Sequence, residues 1–219
     1  MNMMKKILLL TLTVCLLFGS VLSFSGCASR APRVEDIYDR AVELIEASYA
    51  LNTVFYGAGM PVYKTDSTYA AFTHLYFGSQ YAGEYEIVTA GSVFPSIDAF
   101  KEAAEKVYSP AYLEDALYPY AFEGYMTGNG IGGAVMFNAR YLEEDGVLYQ
   151  SCDEGYDLLM GVGMRVYDYA SMRVVAPSNE SMCFLEIDSW LEGSPDRVTV
   201  NELRLVLVDG VWYLDSFTG

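Results

Sequence analysis

The sequence RVTVNELRLVLVDGVWYLDSF, residues 197–217, decides the fold class. Leucine occupies every second position from 203 to 207: Leu203, Leu205 and Leu207. This period of two is typical of a β-strand with one buried face. Asp209-Gly210 favours a two-residue hairpin turn, so residues 211–217 are predicted to return as the next strand. The chain therefore closes with an antiparallel hairpin.

Strand patterns also fill the residues before this hairpin. The predicted strands are residues 134–142, 147–152, 164–176 and 181–191, and residues 143–146 form a hairpin turn between the first two. Residues 181–191 alternate like the closing strand, with Cys183, Leu185 and Ile187 on one face and Glu186 and Asp188 on the other. The last third of the chain is thus predicted to be an antiparallel meander.

Helical patterns dominate the earlier part of the chain. Residues 34–51 form an amphipathic helix whose buried positions are Val34, Ile37, Ala41, Leu44, Ile45 and Ser48, with Asn52 and Gly57 as stop signals. Ser96 caps a second helix, residues 97–108, and a third runs over residues 110–117 until Pro119 stops it. Residues 69–77 fit a strand or a short helix, and residues 85–89 fit a short strand. The order predicts an α+β domain, with N-terminal helices packed on a curved antiparallel sheet.

The first residues have the layout of an export signal. Lys5 and Lys6 precede an apolar run over residues 7–22, and Ser25-Gly26-Cys27 follows. This ending resembles the lipobox of bacterial lipoproteins, although Phe24 replaces the usual leucine or valine. The resemblance implies a signal peptide over residues 1–26 and a diacylated Cys27. Two acyl chains anchor a protein stably in a membrane. It also implies a lipidated tether over residues 27–33, one domain over residues 34–219, and a position on the outer side of the bacterial cell membrane. A plain secreted protein is the alternative.

Charge narrows the class of partner. The chain has 13 basic and 29 acidic residues, a net charge of −16. Such a charge argues against nucleic acid and against electrostatic binding to an anionic membrane surface. It suits either simple solubility or a basic protein partner.

The cysteines and the histidine offer few candidates for a metal site or a catalytic residue. Cys15 leaves with the signal and Cys27 carries lipid, so Cys152 and Cys183 remain as either a disulfide or two separate thiols. His74 is the single histidine, so a zinc site or a histidine base would have to use it. We therefore predict no metal, no cofactor and no catalytic residue.

Two loop segments match known ligand-binding motifs only in part. Residues 128–133 read Gly-Asn-Gly-Ile-Gly-Gly and match a dinucleotide fingerprint, but a predicted strand follows where a helix is needed. Asp153, Glu154 and Asp157 lack the spacing of a calcium loop. We interpret the first as a connecting loop and the second as a solvated acidic loop.

The predicted sheet gathers charged and aromatic residues. Glu186, Asp188 and Glu202 share one face and form either a carboxylate pair for acid–base chemistry or ion pairs with nearby arginines, Arg165, Arg173 and Arg204. The 19 tyrosines are packing residues, or with Trp190 a surface that stacks on sugars or grips a protein.

A family resemblance adds to this interpretation. Helices followed by a curved antiparallel sheet resemble the NTF2-like (cystatin-like) cone. Residues 81–120 look like the IseA-type DL-endopeptidase inhibitor family, through YAGEYEIV at 81–88, the helix from Ser96 that ends in KVYS at 106–109, and the short helix that follows. DGVWYLDS at 209–216 is similar to the last hairpin of exported NTF2-like lipoproteins. The resemblance implies a non-enzymatic protein that blocks cell-wall hydrolases, although this chain adds a lipid anchor and a longer N-terminal part.

Two functions of different classes follow. The first is a non-catalytic, membrane-anchored binding module that restrains a peptidoglycan DL-endopeptidase. The second is a small-molecule-binding protein or enzyme that uses the pocket of the sheet cone.

Overall fold

One side of the protein core is supplied by the first helix. The computed structural model describes residues 30–64, 69–76, 79–127, 135–152 and 165–219, and from Ala31 onward these belong to one compact unit. Helix α1, Val34–Phe55, begins at the predicted residue, where Asp36 accepts from the backbone and guanidinium of Arg33. The predicted signal peptide and Cys27 lie outside the described residues.

Helix α1 buries the face that its periodicity predicts, and it extends beyond its predicted end. Of the predicted buried positions, Val34 is half-buried and the others are buried: Ile37, Ala41, Leu44, Ile45 and Ser48. The predicted end at residue 51 is wrong by four residues. Asn52 is itself buried inside the helix, because its side chain has polar partners in the core.

Side chains from a distant segment cap the C-terminal end of α1. Tyr141 donates its hydroxyl to the carbonyl of Val54 (2.8 Å), and Arg140 donates to the carbonyls of Phe55 (2.7 Å) and Gly57 (2.5 Å). The last turn of α1 has no basic residue of its own. The buried Arg140 guanidinium therefore supplies the positive charge that favours this end of the helix dipole.

The described residues contain ten strands. In chain order they are β1 (Tyr69–Tyr76), β2 (Ser79–Ile87), β3 (Tyr125–Thr127), β4 (Val135–Phe137), β5 (Tyr141–Glu144), β6 (Val147–Ser151), β7 (Arg165–Val175), β8 (Met182–Leu191), β9 (Thr199–Val208) and β10 (Val211–Leu214). The segment 69–77, predicted as a strand or a short helix, is a strand over its described residues, Tyr69–Tyr76. The predicted strand 85–89 is the end of a longer one, and the predicted strand 134–142 is split between β4 and β5. The Gly-rich residues 128–133 lie outside the described ranges.

The α+β class is confirmed, but the strands form separate antiparallel sheets. Sheet I has the order β1-β2-β6-β5, sheet II has the order β10-β9-β8-β7, and β3 pairs with β4 alone. The core-facing side of sheet II is filled by Cys183, Leu185, Ile187, Leu203 and Leu205, all buried as their alternation predicts. One core cluster joins this face to α1 and to Tyr141 and Leu148 of sheet I. The likeness to an NTF2-like cone remains a prediction.

Both predicted hairpin turns are confirmed. Asp145-Gly146 joins β5 to β6 and Asp209-Gly210 joins β9 to β10, and all four residues have positive φ, between 50° and 82°. Positive φ at both central positions defines the turn whose twist matches that of paired strands.

The middle helices end differently from the prediction. Helix α2, Ile97–Ala104, has the predicted Ser96 cap, which accepts from Ala99, but it ends four residues before the predicted residue 108. The chain leaves the helix because Tyr108 forms a parallel bridge to Leu214 of β10. Ser109 donates to the Leu214 carbonyl (2.8 Å), and Leu214 donates to the carbonyl of Val107 (2.9 Å).

The prediction that Pro119 stops the third helix is also wrong. Helix α3, Pro110–Tyr112, is capped by Ser109 and continues into a π-helical turn, Leu113–Leu117. Pro119 then begins a second π-helical turn, Pro119–Glu123. Tyr118, between the two π-helical turns, keeps helical backbone angles (φ −69°, ψ −42°), so the helical path passes through Pro119 instead of ending before it.

A buried polar network ties the end of the chain to α1. The Thr218 hydroxyl contacts Ser48 (2.5 Å) and accepts from Asn52 (2.6 Å), while Tyr108 donates to Asn52. Tyr167 of β7 donates to the Thr218 carbonyl (2.5 Å). Each polar group thus finds a partner inside the core, as burial requires.

Replacing Arg140 tests the distant cap on α1. Arg140→Met keeps an unbranched apolar stem but removes the guanidinium, so the carbonyls of Phe55 and Gly57 lose their buried donor. We expect the free energy of unfolding to fall on the order of 3 kcal/mol, measured by urea denaturation. The exposed Arg197 is the matched control, and Arg197→Met is expected to change stability by less than about 0.5 kcal/mol. Equal stability of the two variants would contradict the cap.

Candidate functional site

A groove runs along α1 where α2 and β10 meet it. Its volume is about 610 Å³, and it is lined by Arg40, Glu43, Leu44, Ala47, Leu51, Phe94, Ala103, Lys106, Val107 and Tyr213. The floor is apolar, formed by Leu44, Leu51, Phe94 and Val107, which are all buried. The lining residues with polar side chains are Arg40, Glu43, Lys106 and Tyr213.

The walls of the groove are fixed by hydrogen bonds. The N-terminus of α2 is held to sheet I, where the Ile97 amide donates to Glu143 of β5 (2.9 Å). Its other end is held to β10 by the bridge between Tyr108 and Leu214. Phe94 and Phe55 both pack edge-on against Phe100, with ring centroids 4.9 and 4.7 Å away. These contacts join the walls of the groove to both sheets and to each other.

Arg40 links the three elements that line the groove. It lies on α1, donates its Nε to the Trp212 carbonyl of β10 (3.0 Å) and its Nη2 to the Lys106 carbonyl after α2 (3.1 Å). Its Nη1 pairs with Glu43 at 2.9 Å. Lys106 in turn pairs with Glu102 at 2.8 Å. The rim charges are neutralised locally, so the groove suits an apolar group better than an ion.

A smaller cavity lies on the other side of the α2–α3 connection. Its volume is about 230 Å³, and its lining is Glu105, Tyr108, Pro110, Leu113, Glu114 and Tyr118. Burial, followed by the nearby carboxylates of Glu105 and Glu114, raises the pKa of Tyr118 above its ordinary value. The phenol therefore stays neutral between the two acids.

The carboxylates predicted to share a face do meet, in an arrangement of ion pairs. On the solvent side of sheet II, Arg173 contacts Glu186 at 2.7 Å and Asp188 at 3.6 Å. Glu202 lies directly opposite Glu186. All are at least partly exposed, so the group is a solvated set of ion pairs on the surface of the sheet and not a buried carboxylate pair.

The other two predicted arginines have separate partners. Arg204 pairs with Asp215 at 2.6 Å, and Arg165 donates to Ser189 (3.0 Å) and Thr199 (3.3 Å). Neither arginine joins the carboxylate group predicted for acid–base chemistry.

No bridge joins Cys152 and Cys183. Cys152 is exposed just after β6 of sheet I, whereas Cys183 is a buried free thiol on β8 of sheet II. The two thiols face different environments on different sheets, which the spacing of the residues could not reveal. Burial raises the pKa of the Cys183 thiol to about 11, which keeps it neutral and unreactive.

Several other candidates fall outside what the structure describes. The acidic loop with Asp153, Glu154 and Asp157 is in the range between residues 152 and 165. His74 lies on β1, opposite Tyr81, and its side chain is outside the described set. Within the described ranges, no group of His, Cys, Asp and Glu is placed to hold a metal ion.

Sequence reasoning missed two features of this region. The groove depends on contacts between residues far apart in the chain, for which no local pattern exists. The polar network had a visible signal, because Ser48 occupies a position on the apolar face of a predicted helix. A hydroxyl at such a position needs a buried partner, and Thr218 is that partner.

Comparisons with known proteins do not assign the chain. Neither the protein-family models nor the curated proteins include a match. Among the helices of the described residues, none is both long enough and apolar enough to cross a membrane.

Alkaline pH is expected to unfold the protein by ionising its buried thiol and phenol groups. Burial raises the pKa of Cys183 from 9.0 to about 11 and that of Tyr167 from 10.0 to about 12. A raised pKa means that the unfolded chain loses these protons first. The stability due to the neutral forms is therefore complete below about pH 9 and is lost as pH rises towards about 12.

Urea unfolding across this pH range, followed with tyrosine absorbance, measures the effect. We expect the free energy of unfolding to decline above about pH 9 and the buried phenols to ionise together with unfolding. The variant Cys183→Ala should begin its decline at higher pH. A stability that stays constant up to about pH 12 would contradict the assignment.

Proposed function

We propose that the protein is a lipid-anchored, non-catalytic binding module of the bacterial cell envelope. Its Cys27 carries the lipid, and the domain faces the outside of the cytoplasm. The groove between α1, α2 and β10 docks an apolar side chain of a protein partner. The partner class suggested by the family resemblance is a peptidoglycan DL-endopeptidase, whose activity the module restrains.

The groove is the observation that carries this proposal. Its apolar floor is reached through an opening of fixed shape, since Arg40 and the Tyr108–Leu214 bridge hold the walls. Preformed walls lower the entropic cost of binding. A pocket that receives a single apolar anchor is the usual centre of a protein interface.

The ionisable groups in the core support a non-catalytic role. Burial raises the pKa values of Tyr108, Tyr141, Tyr167 and Cys183. A catalytic acid, base or nucleophile needs a pKa near the working pH. These shifts move in the opposite direction, towards permanently neutral groups.

The segment that carries the family resemblance also lines part of the groove. The stretch that resembles the inhibitor family, residues 81–120, contributes four groove-lining residues: Phe94, Ala103, Lys106 and Val107. The same stretch therefore supplies one wall of the groove. This coincidence favours a cell-wall hydrolase as partner over an unrelated protein.

A small-molecule ligand is the second candidate. The volume of the groove, about 610 Å³, lies in the range of small-ligand sites, and its lining is largely apolar. The sheet itself is a poorer location, because the core-facing side of sheet II is filled with packed side chains such as Leu185 and Leu203.

Filling the groove tests the docking role. Ala47 is exposed and lines the groove, so Ala47→Trp places an indole where the partner would dock. The full chain in phosphatidylcholine vesicles is added to NlpC/P60-type hydrolases digesting peptidoglycan, and turbidity gives the rate. We expect the parent chain to slow digestion at stoichiometric amounts, and Ala47→Trp to weaken this effect about tenfold or more.

Ala50→Trp is the matched control, since Ala50 is an exposed alanine of the same helix outside the groove lining. It should inhibit like the parent. Equal inhibition by both variants would remove the groove from the interface. A parent chain without effect on any such hydrolase would remove the proposed partner and direct the search to small apolar ligands.

The lipid anchor has its own test. Cys27→Ser removes the thiol that would be acylated, whereas Cys152→Ser leaves it intact. We expect the Cys27→Ser protein to lose the mass of the diacylglyceryl group and to leave the membrane fraction, because a protein without two acyl chains is not stably anchored. Intact-mass spectrometry and fractionation measure both effects. Unchanged mass and unchanged fractionation would sink the lipoprotein assignment.

A further inference from the structure

The solvent-facing side of sheet II, here called the outer face, combines an apolar row with a dense acidic field. It consists of the β7, β8 and β9 side chains that point away from the buried Cys183, Leu185 and Ile187. The proposed groove lies elsewhere, between α1, α2 and β10, and its lining includes none of the β7, β8 or β9 residues.

The apolar row lies at one end of the outer face. Val166 on β7 is directly opposite Trp190 on β8. On the other side of β8, Val198 immediately precedes β9, and Val200 on β9 lies directly opposite Asp188, one row further along the outer face. The valines are 37%, 54% and 55% exposed at positions 166, 200 and 198, respectively. Isolated exposed valines are ordinary, but here they lie together on adjacent strands.

The acidic field begins in the next row of the sheet. Asp168 lies directly opposite Asp188, and in the row beyond it Glu186 lies directly opposite Glu202. Arg173 is the cation that contacts this group, through Glu186 and Asp188. Counting these five side chains, four carboxylates and one guanidinium leave a net charge of −3.

The two pairs of like charges, Asp168 with Asp188 and Glu186 with Glu202, work against the stability of the sheet. Like charges directly opposite each other on neighbouring strands are destabilising, and opposite charges would stabilise the same positions. A metal ion does not explain the arrangement, since the described residues hold no cluster placed to bind one. Basic side chains of a partner would relieve the repulsion, while its apolar side chains covered the valines.

We propose that the outer face of sheet II binds a basic amphipathic segment of a protein partner. The apolar side chains of the segment pack on Val166, Trp190, Val198 and Val200. Its lysines or arginines pair with Asp168, Asp188 and Glu202. This site is separate from the groove and does not depend on the hydrolase as partner.

Fluorescence of Trp190 reports directly on this surface. The chain has two tryptophans, and Trp212 packs against the core, so Trp212→Phe leaves Trp190 as the single emitter. The probe is a short peptide of alternating lysine and valine, added to the full chain in phosphatidylcholine vesicles, with empty vesicles as blank. We expect Trp190 emission to move to shorter wavelength, with binding that weakens as salt rises.

Two further peptides separate the contributions of charge and apolar contact. A glutamate/valine peptide should not bind, and a lysine/serine peptide should bind much more weakly than the lysine/valine peptide. Equal binding by the glutamate/valine peptide would overturn the electrostatic part of the proposal. Equal binding by the lysine/serine peptide would overturn the apolar part.

Variants locate the site and exclude unfolding as the cause. Asp168→Asn with Asp188→Asn should weaken lysine/valine binding about tenfold, while the midpoint of urea unfolding stays equal or rises because repulsion is relieved. The matched control, Glu35→Gln with Asp39→Asn, removes two exposed charges from α1 and should bind like the parent. Equal weakening by both pairs would show a general charge effect and overturn the site.

The groove variant distinguishes this inference from the proposed function. Ala47→Trp should retain full peptide binding even where it loses restraint of the hydrolase. Loss of peptide binding in Ala47→Trp would place the peptide in the groove and overturn the outer face as a separate site.

Discussion

The hydrogen bonds around Thr218 are the constraint on which the rest of the structure depends. This residue, near the end of the chain, meets Ser48 and Asn52 of α1 and Tyr167 of β7 inside the core, and Asn52 also receives Tyr108. The network therefore fixes the first helix, the chain after α2 and sheet II against one another. An unpaired polar group in such a place costs more than the hydrogen bond contributes, so the groups are held in one arrangement.

That arrangement gives α1 two roles. One face, with Ile37, Ala41 and Ile45, belongs to the core. The adjacent face, with Arg40 and Ala47, forms a wall of the groove. Because the core face is held by apolar packing and by the Arg140 cap, the groove face has little freedom to move. A preformed recess with an apolar floor is better suited to binding than to a reaction in which charge develops on the substrate.

The two proposed binding surfaces differ in their chemistry. In the groove, Arg40 and Lys106 are neutralised by glutamates three or four positions away on their own helices or flanks. On the outer face of sheet II, Asp168 lies directly opposite Asp188, and Arg173 offsets only part of the negative charge of this group. Part of the negative charge of the chain thus lies where a basic partner can use it, while the groove discriminates by shape. In the proposed lipoprotein, the short tether would present both surfaces close to the membrane.

Local features were determined by the sequence alone. The 3.6 and 2.0 periods predicted α1, the buried faces of β8 and β9 and the α+β class. Residues 143–146 and the pair Asp209-Gly210 predicted the two hairpins. Each of these depends on atoms within a few residues of one another. Tertiary structure decided the rest: where α2 ends, how the strands divide between sheets, the separation of Cys152 from Cys183, and the groove. The physical reason is distance along the chain. The partners of Arg140 and Asn52 lie 85 and 166 residues away, and no local pattern encodes a contact that exists only after the chain has packed.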